Sequence, residues 1–146
     1  MSYEKHSARL MLKYPMIEDL AKKAKKRMPH VAWEYLNTGT GRERLLDNNL
    51  KAFDKITLTP QFLKGDLTPN TETKFLGKKY DAPFGIAPIG LAGLMWPEVE
   101  IILAKTAKKF NIPFSLSTVA TETPETCGPH FGDNGWFQLY LSLIHI

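Results

Sequence analysis

The sequence predicts an α/β chain in which a helical lead-in and a small β-hairpin precede a parallel sheet with crossover helices. Three observations carry that prediction. Apolar residues recur at helical spacing through the first third. From residue 82 onward, short apolar strands alternate with helical stretches, as parallel pairing requires. The length of 146 residues suits a domain but falls well short of the ~250 that a complete eight-stranded α/β barrel takes.

The residues before Pro15, including His6, read as a loose terminus. Pro15 fits a first helical turn, and Ile17, Leu20, Ala21, Ala24 and Met28 then fall along one helical face. Pro29 interrupts this run ahead of a second helix through Val31-Ala32-Trp33-Glu34-Tyr35-Leu36. Thr38-Gly39-Thr40-Gly41 breaks the chain, and residues 43–53 form a third helical stretch. Lys55-Ile56-Thr57-Leu58-Thr59 alternates like a short strand ended by Pro60, and residues 71–80 read as a hairpin around Gly77. These elements make up residues 1–81.

Residues 82–140 carry the parallel strands. Pro83-Phe84-Gly85-Ile86-Ala87-Pro88-Ile89-Gly90 is the first. Pro97 opens a helix with Glu98 and Glu100 in its first turn and Lys105, Lys108 and Lys109 toward its end, each sign matched to the helix dipole. Asn111 stops it. Pro113-Phe114-Ser115-Leu116-Ser117-Thr118 is the second strand, a short helix follows near residues 123–127, and Trp136-Phe137-Gln138-Leu139-Tyr140 is the third.

Composition narrows the function. At 43% hydrophobic and 23% charged residues the chain is neither disordered nor collagenous, and no apolar run reaches the ~20 residues of a transmembrane helix. The N-terminus has no apolar core of the signal-peptide kind, so an intracellular, cytoplasmic protein is expected. A lone Cys127 excludes an intrachain disulfide and a cysteine-rich zinc site, and it reads as an inert small residue; no metal site is expected. The net charge of +4 is local, since removing the five positive charges of residues 22–27 leaves −1. That lysine-rich face is either a solvated helix surface or an attachment point for an anionic surface at the inner face of a membrane. No interleaving of aromatic and basic residues supports a nucleic-acid platform.

In parallel α/β folds ligands bind beyond the carboxyl ends of the strands. Here those ends carry Pro88, Ile89 and Gly90, then Ser117 and Thr118, then Gln138 and Tyr140. Gly90 permits close backbone approach to a planar ligand, Ser117 offers a hydroxyl, and the Gln138 amide both donates and accepts, a set complementary to the edge of a flavin. From spacing alone, the favoured reading of the same residues is loop punctuation and satisfied strand ends.

The ordered set of short motifs resembles the N-terminal part of the FMN-dependent α-hydroxy acid dehydrogenase and oxidase family, which includes glycolate oxidase, lactate oxidase, mandelate dehydrogenase and lactate dehydrogenase. The likeness runs from near Tyr14 through Tyr140. It is carried by Met28-Pro29, Trp33-Glu34-Tyr35, Thr38-Gly39, Asn49-Leu50-Lys51-Ala52-Phe53, Ala87-Pro88-Ile89-Gly90-Leu91, Trp96-Pro97 with Glu100, Leu116-Ser117-Thr118 and Trp136-Phe137-Gln138-Leu139-Tyr140. The resemblance implies the first three strands of a (β/α)8 barrel of the TIM type, incomplete in this chain. It implies FMN as cofactor, with the backbone of Pro88, Ile89 and Gly90 against the flavin ring and Ser117 and Gln138 hydrogen-bonded to it. Tyr35 and Tyr140 match the tyrosines that face the substrate, Tyr140 being the catalytic one.

The implied reaction oxidises a lactate-like L-2-hydroxy acid to the 2-oxo acid and passes electrons to a quinone, a cytochrome or oxygen, in a homo-oligomeric parent. Another FMN barrel, such as an isopentenyl diphosphate isomerase-like enzyme, and a non-catalytic module binding anionic surfaces are the competing readings. The family's catalytic histidine, substrate arginines, flavin-binding lysine and phosphate loop match nothing here, because they lie on later strands. The fragment is therefore expected to be inactive alone. Residues 141–146 depart abruptly from the pattern and are read as a non-native tail. Gln61 stands where the family often has Arg. Gly90 stands where several oxidases carry Ala, which favours a dehydrogenase, and Val119 replaces a bulky aromatic, which leaves room for a substrate larger than glycolate.

Overall fold

A computed structural model describes residues 3–63, 65 and 68–140, and contacts divide the chain into two units, Met1–Lys55 and Ile56–Ile146. The tail at residues 141–146 lies outside the described residues.

The first unit holds four helices: α1 (Tyr3–Lys13), α2 (Ile17–Lys25), α3 (His30–Asn37) and α4 (Arg44–Phe53). α1 replaces the expected loose terminus, because its residues include neither Gly nor Pro and Pro15 is the first breaker. Its last turn is extended by Tyr14 N–H donating to the Leu10 carbonyl at 2.8 Å. α2 has Glu18 and Asp19 in its first turn and Lys22, Lys23 and Lys25 in its last, so its charges follow the dipole. It ends before Met28, and its expected half-buried face holds at Ala21, Ala24 and Met28 while Ile17 is 80% exposed. Pro29 caps the start of α3, and the Thr38 hydroxyl donates to the Glu34 carbonyl at 2.5 Å at its end. Glu43 precedes α4 and accepts from Gly39 N–H at 3.1 Å, which pins the glycine-containing break.

In the second unit the expected strand at residues 55–59 does not form. Its alternation finds no ladder partner, and Ile56 and Leu58 are exposed. The hairpin does form: β1 (Thr73–Phe75) runs antiparallel to β2 (Lys78–Tyr80), with Thr73 opposite Tyr80. Leu76 (φ 46°) and Gly77 (φ 82°) make the two-residue turn, whose left-handed backbone glycine adopts without strain. Contacts place the hairpin with the parallel strands, whereas the sequence groups it with the lead-in. Phe75 stacks on Trp136 at 5.2 Å between centroids, and Lys78 Nζ donates to Asn134 Oδ1 at 2.6 Å.

The three parallel segments follow chain order but are shorter than the sequence predicts. The first reduces to one bridge between Ile86 and Phe114, held by Ile86 N–H to Pro113 O (2.8 Å) and Ser115 N–H to Ile86 O (3.0 Å). Pro83 and Pro88 lack the N–H groups a longer strand would use. β3 (Phe114–Leu116) pairs with β4 (Gly135–Phe137) in parallel, Phe114 opposite Gly135. β4 stops at Phe137, so Gln138 and Tyr140 lie past the strand, although Gln138 N–H still donates to Leu116 O at 2.9 Å.

α5 (Val99–Lys109) and α6 (Pro124–Phe131) are the crossovers. Asn111, at φ 45°, ends α5 as expected. Its N–H donates to Lys108 O and that of Ile112 to Ala107 O, the paired bonds of a Schellman closure. Ala104 and Ala107 are wholly buried, and their small side chains let α5 lie close over Phe114 and Leu116. Burying the Phe114 and Leu116 side chains contributes about 1.5–3 kcal/mol each. The Thr123 side chain caps α6 by accepting from Thr126 N–H, and the helix continues to Phe131, whose ring lies 5.6 Å from that of Phe114. His130 therefore sits in a last helical turn, not in a loop.

Candidate functional site

The carboxyl ends of the parallel segments belong to one tied surface. Leu91 N–H donates to Val119 O at 2.9 Å and Ala120 N–H to Ser117 O at 3.2 Å, so the turns after the first and second segments are held backbone to backbone. Ser117 is 4% exposed. Its hydroxyl donates to Gln138 Oε1 at 3.1 Å and accepts from Val119 N–H at 3.2 Å. The Thr118 hydroxyl bonds to the Gln138 carbonyl. The Gln138 carbonyl and side-chain Oε1 are thereby both fixed against the strand-two terminus. Pro88, Ile89 and Gly90, half-buried, lead into Leu91 at φ 51°.

Beneath these turns is an acid whose place in the first helical turn matches the helix dipole. Glu100 is 3% exposed. Its Oε1 accepts from Thr121 N–H at 3.0 Å and from the Thr121 hydroxyl, which itself accepts from Gly93 N–H at 2.9 Å. Oε2 is buried with no hydrogen-bond partner. The signal in the sequence is spacing: Glu100 falls at i relative to Ala104 and Ala107 at i+4 and i+7, the face that packs on the sheet.

The remaining candidates are placed as follows. Tyr140 is 49% exposed and lies two residues beyond Gln138. Tyr35 lies on α3 of the first unit, 53% exposed. Cys127 is fully buried, and burial, reinforced by Glu100 and Glu122, pushes its thiol above the ordinary value, so it stays protonated. His6 lies on α1, and His30 opens α3 and approaches Glu34 at 3.6 Å. Of the basic cluster, Lys22 lies 3.6 Å from Asp19, and Lys23 donates to the Tyr14 hydroxyl at 2.7 Å, which holds that phenol below its ordinary pKa. Among the described residues no group of His, Cys, Asp and Glu is arranged to hold a metal ion, and no helix is long and apolar enough to cross a membrane. A largely apolar cavity of about 420 Å³ opens near the hairpin, lined by Phe75, Tyr80, Phe84, Ile86, Pro113 and Trp136, but the convergent polar groups are at the strand ends.

The chain is similar to proteins of known kind. The family model for FMN-dependent dehydrogenase matches residues 24–143. An L-lactate oxidase of Lysinibacillus sphaericus is 34% identical over 85% of this chain and 32% of its own length. The (S)-mandelate dehydrogenase of Pseudomonas putida is 33% identical over 86% of this chain and 32% of its own length. The crystal structure of a soluble mutant of the membrane-associated (S)-mandelate dehydrogenase from Pseudomonas putida superposes with a TM-score of 0.79 at 32% identity, covering 88% of this chain and 37% of that one. The chain thus spans about a third of the length of the curated relatives it matches.

Proposed function

We propose, from the premise that this chain belongs to the family of FMN-dependent dehydrogenases, that it forms the first three strands of a flavin-binding (β/α)8 barrel that oxidises an L-2-hydroxy acid to the 2-oxo acid. The observation that carries this reading is the tied strand-end surface, where Ser117 and Gln138 form one hydrogen-bonded pair beside Pro88, Ile89 and Gly90.

FMN fits the donor set. The residues at the strand ends are polar but uncharged, and a flavin edge alternates carbonyl acceptors with an N–H donor, which suits an amide and a hydroxyl. Pro88 and Ile89 supply apolar backbone-rich surface for a planar ring, and Gly90 adds no side chain there. When bound, FMN supplies the acceptance of two electrons from the substrate carbon, chemistry that no side chain provides. The chain's own residues bind and orient. Ser117 fixes the Gln138 amide before the ligand arrives, so less side-chain freedom is lost on binding. The Tyr140 hydroxyl, at the mouth beyond Gln138, donates to the substrate without adding a fixed charge, and Tyr35 is assigned the substrate carboxylate. The base that removes the hydroxyl proton is supplied by residues other than His6, His30 and His130, which lie on helices.

Gly90 and Val119 support a dehydrogenase acting on a substrate larger than glycolate. The basic face of residues 22–27 adds attraction to an anionic membrane surface, about 1 kcal/mol per Lys or Arg near the lipid. The deciding experiment expresses the protein with the remaining barrel strands and looks for bound yellow flavin that bleaches anaerobically with L-lactate or L-mandelate. A colourless protein, or flavin that no L-2-hydroxy acid reduces, overturns the assignment.

A further inference from the structure

We propose that Glu100 is a positioning residue of the flavin site, latching through Thr121 the two turns that carry the ring-facing residues. The inference rests on the reading of residues 88–90 and Ser117 as flavin contacts.

The position is an unusual one for an acid. Glu100 shares its helix face with the fully buried Ala104 and Ala107, and an ionised side chain there loses its hydration. The helix dipole does not require it, since Glu98 already stands immediately ahead of α5. What the carboxylate makes is a bridge. Oε1 takes both the N–H and the hydroxyl of Thr121, and with its proton directed to Glu100 that hydroxyl turns a lone pair to Gly93 N–H. Gly93 comes so close that a Cβ there would stand 2.3 Å from Thr121 Oγ1, so the contact demands glycine. Gly93 is three residues from Gly90, and Thr121 is four residues from Ser117. One carboxylate oxygen therefore holds the Thr121 hydroxyl on Gly93, a second tie between the two turns beside the Leu91 N–H to Val119 O bond.

The unpartnered Oε2 does not mark a substrate or metal site. Glu100 lines a cavity of about 10 Å³, shared with Ala87, Ile89, Ser115 and Ser117, with room for no more than one water. Its function is to fix the Thr121 turn through the two bonds to Oε1.

The test uses the protein carrying the remaining barrel strands, with FMN titrated into the apoprotein by fluorescence quenching and amide hydrogen exchange read at Gly93 and Thr121. Glu100→Ala is expected to weaken FMN binding more than fivefold and to speed exchange at both amides more than fivefold. Glu100→Gln, which keeps an oxygen on Thr121, is expected to stay within fivefold on both. Any other combination overturns the latch: an alanine variant that binds and exchanges like the parent shows the contact is idle, and a glutamine variant as impaired as alanine assigns the effect to charge. Should Glu100→Ala not fold, Thr121→Val takes its place with the same threshold. If the unaltered protein binds no FMN, the flavin reading fails, and exchange at Gly93 and Thr121 still decides whether Glu100 joins the two turns.

Discussion

Replacing Ser117 by Ala separates a preorganised flavin site from a set of satisfied strand ends. The substitution removes the hydroxyl that donates to Gln138 Oε1 at 3.1 Å and accepts from Val119 N–H at 3.2 Å. The lost bond to Gln138 costs about 1 kcal/mol, as a neutral hydrogen bond. Releasing the Gln138 side chain adds roughly 1 kcal/mol of rotamer entropy that FMN binding must then overcome. The sum of about 2 kcal/mol corresponds to a Kd for FMN raised about 30-fold at 1.4 kcal/mol per decade. Global stability falls by only about 1 kcal/mol, measurable by urea unfolding. A cycle of Ser117→Ala, Gln138→Ala and the double variant, read by FMN titration, should show coupling of about 1 kcal/mol between the two positions. FMN affinity unchanged within twofold in Ser117→Ala, or strict additivity in the cycle, would show that the pair serves only the strand ends.

Other expectations follow from the same placements. Tyr140→Phe keeps the ring and loses the hydroxyl, so turnover with L-2-hydroxy acids should fall on the order of 10–100-fold while FMN affinity stays within twofold; equal loss in both would make Tyr140 structural. Cys127 should resist a thiol reagent at pH 8 in the native protein and react once unfolded, because burial keeps it protonated. Its folded pKa lies above the unfolded one, so its contribution to stability is intact below the ordinary thiol value of about 8.5 and declines as pH rises through and beyond it, visible as a falling Tm that Cys127→Ala lacks. If residues 22–27 contact anionic lipid, Lys22→Glu with Lys26→Glu should cut sedimentation with phosphatidylglycerol vesicles at least tenfold at low salt. Equal binding by both proteins, or binding insensitive to salt, would assign these lysines to solvent alone.

Much of this organisation is legible in local pattern. Periodicity located α2, α3, α4 and α5, and the left-handed Asn111 and the turn glycine Gly77 stand where sequence punctuation put them. The motifs at residues 87–91, 116–118 and 136–140 carry the family resemblance, and the match to the FMN-dependent dehydrogenase family agrees with it. Pattern failed where pairing or solvent exposure decides. The alternation at residues 55–59 meets no neighbouring strand, and the first parallel strand shrinks to Ile86 because its prolines lack donors. Helix α1 forms where the sequence suggests a loose terminus, since nothing before Pro15 breaks a helix.

The sequence by itself determined which residue types stand at each strand end, since covalent order and side-chain chemistry are local properties. Only the tertiary structure decided what those residues do to one another. That Ser117 grips Gln138, and that an acid one helical turn from Ala104 is buried rather than hydrated, depends on groups 21 residues apart in sequence meeting at hydrogen-bond distance. A charge opposite a helix dipole reads the same on either face of the helix. Its meaning is set by which face the sheet covers.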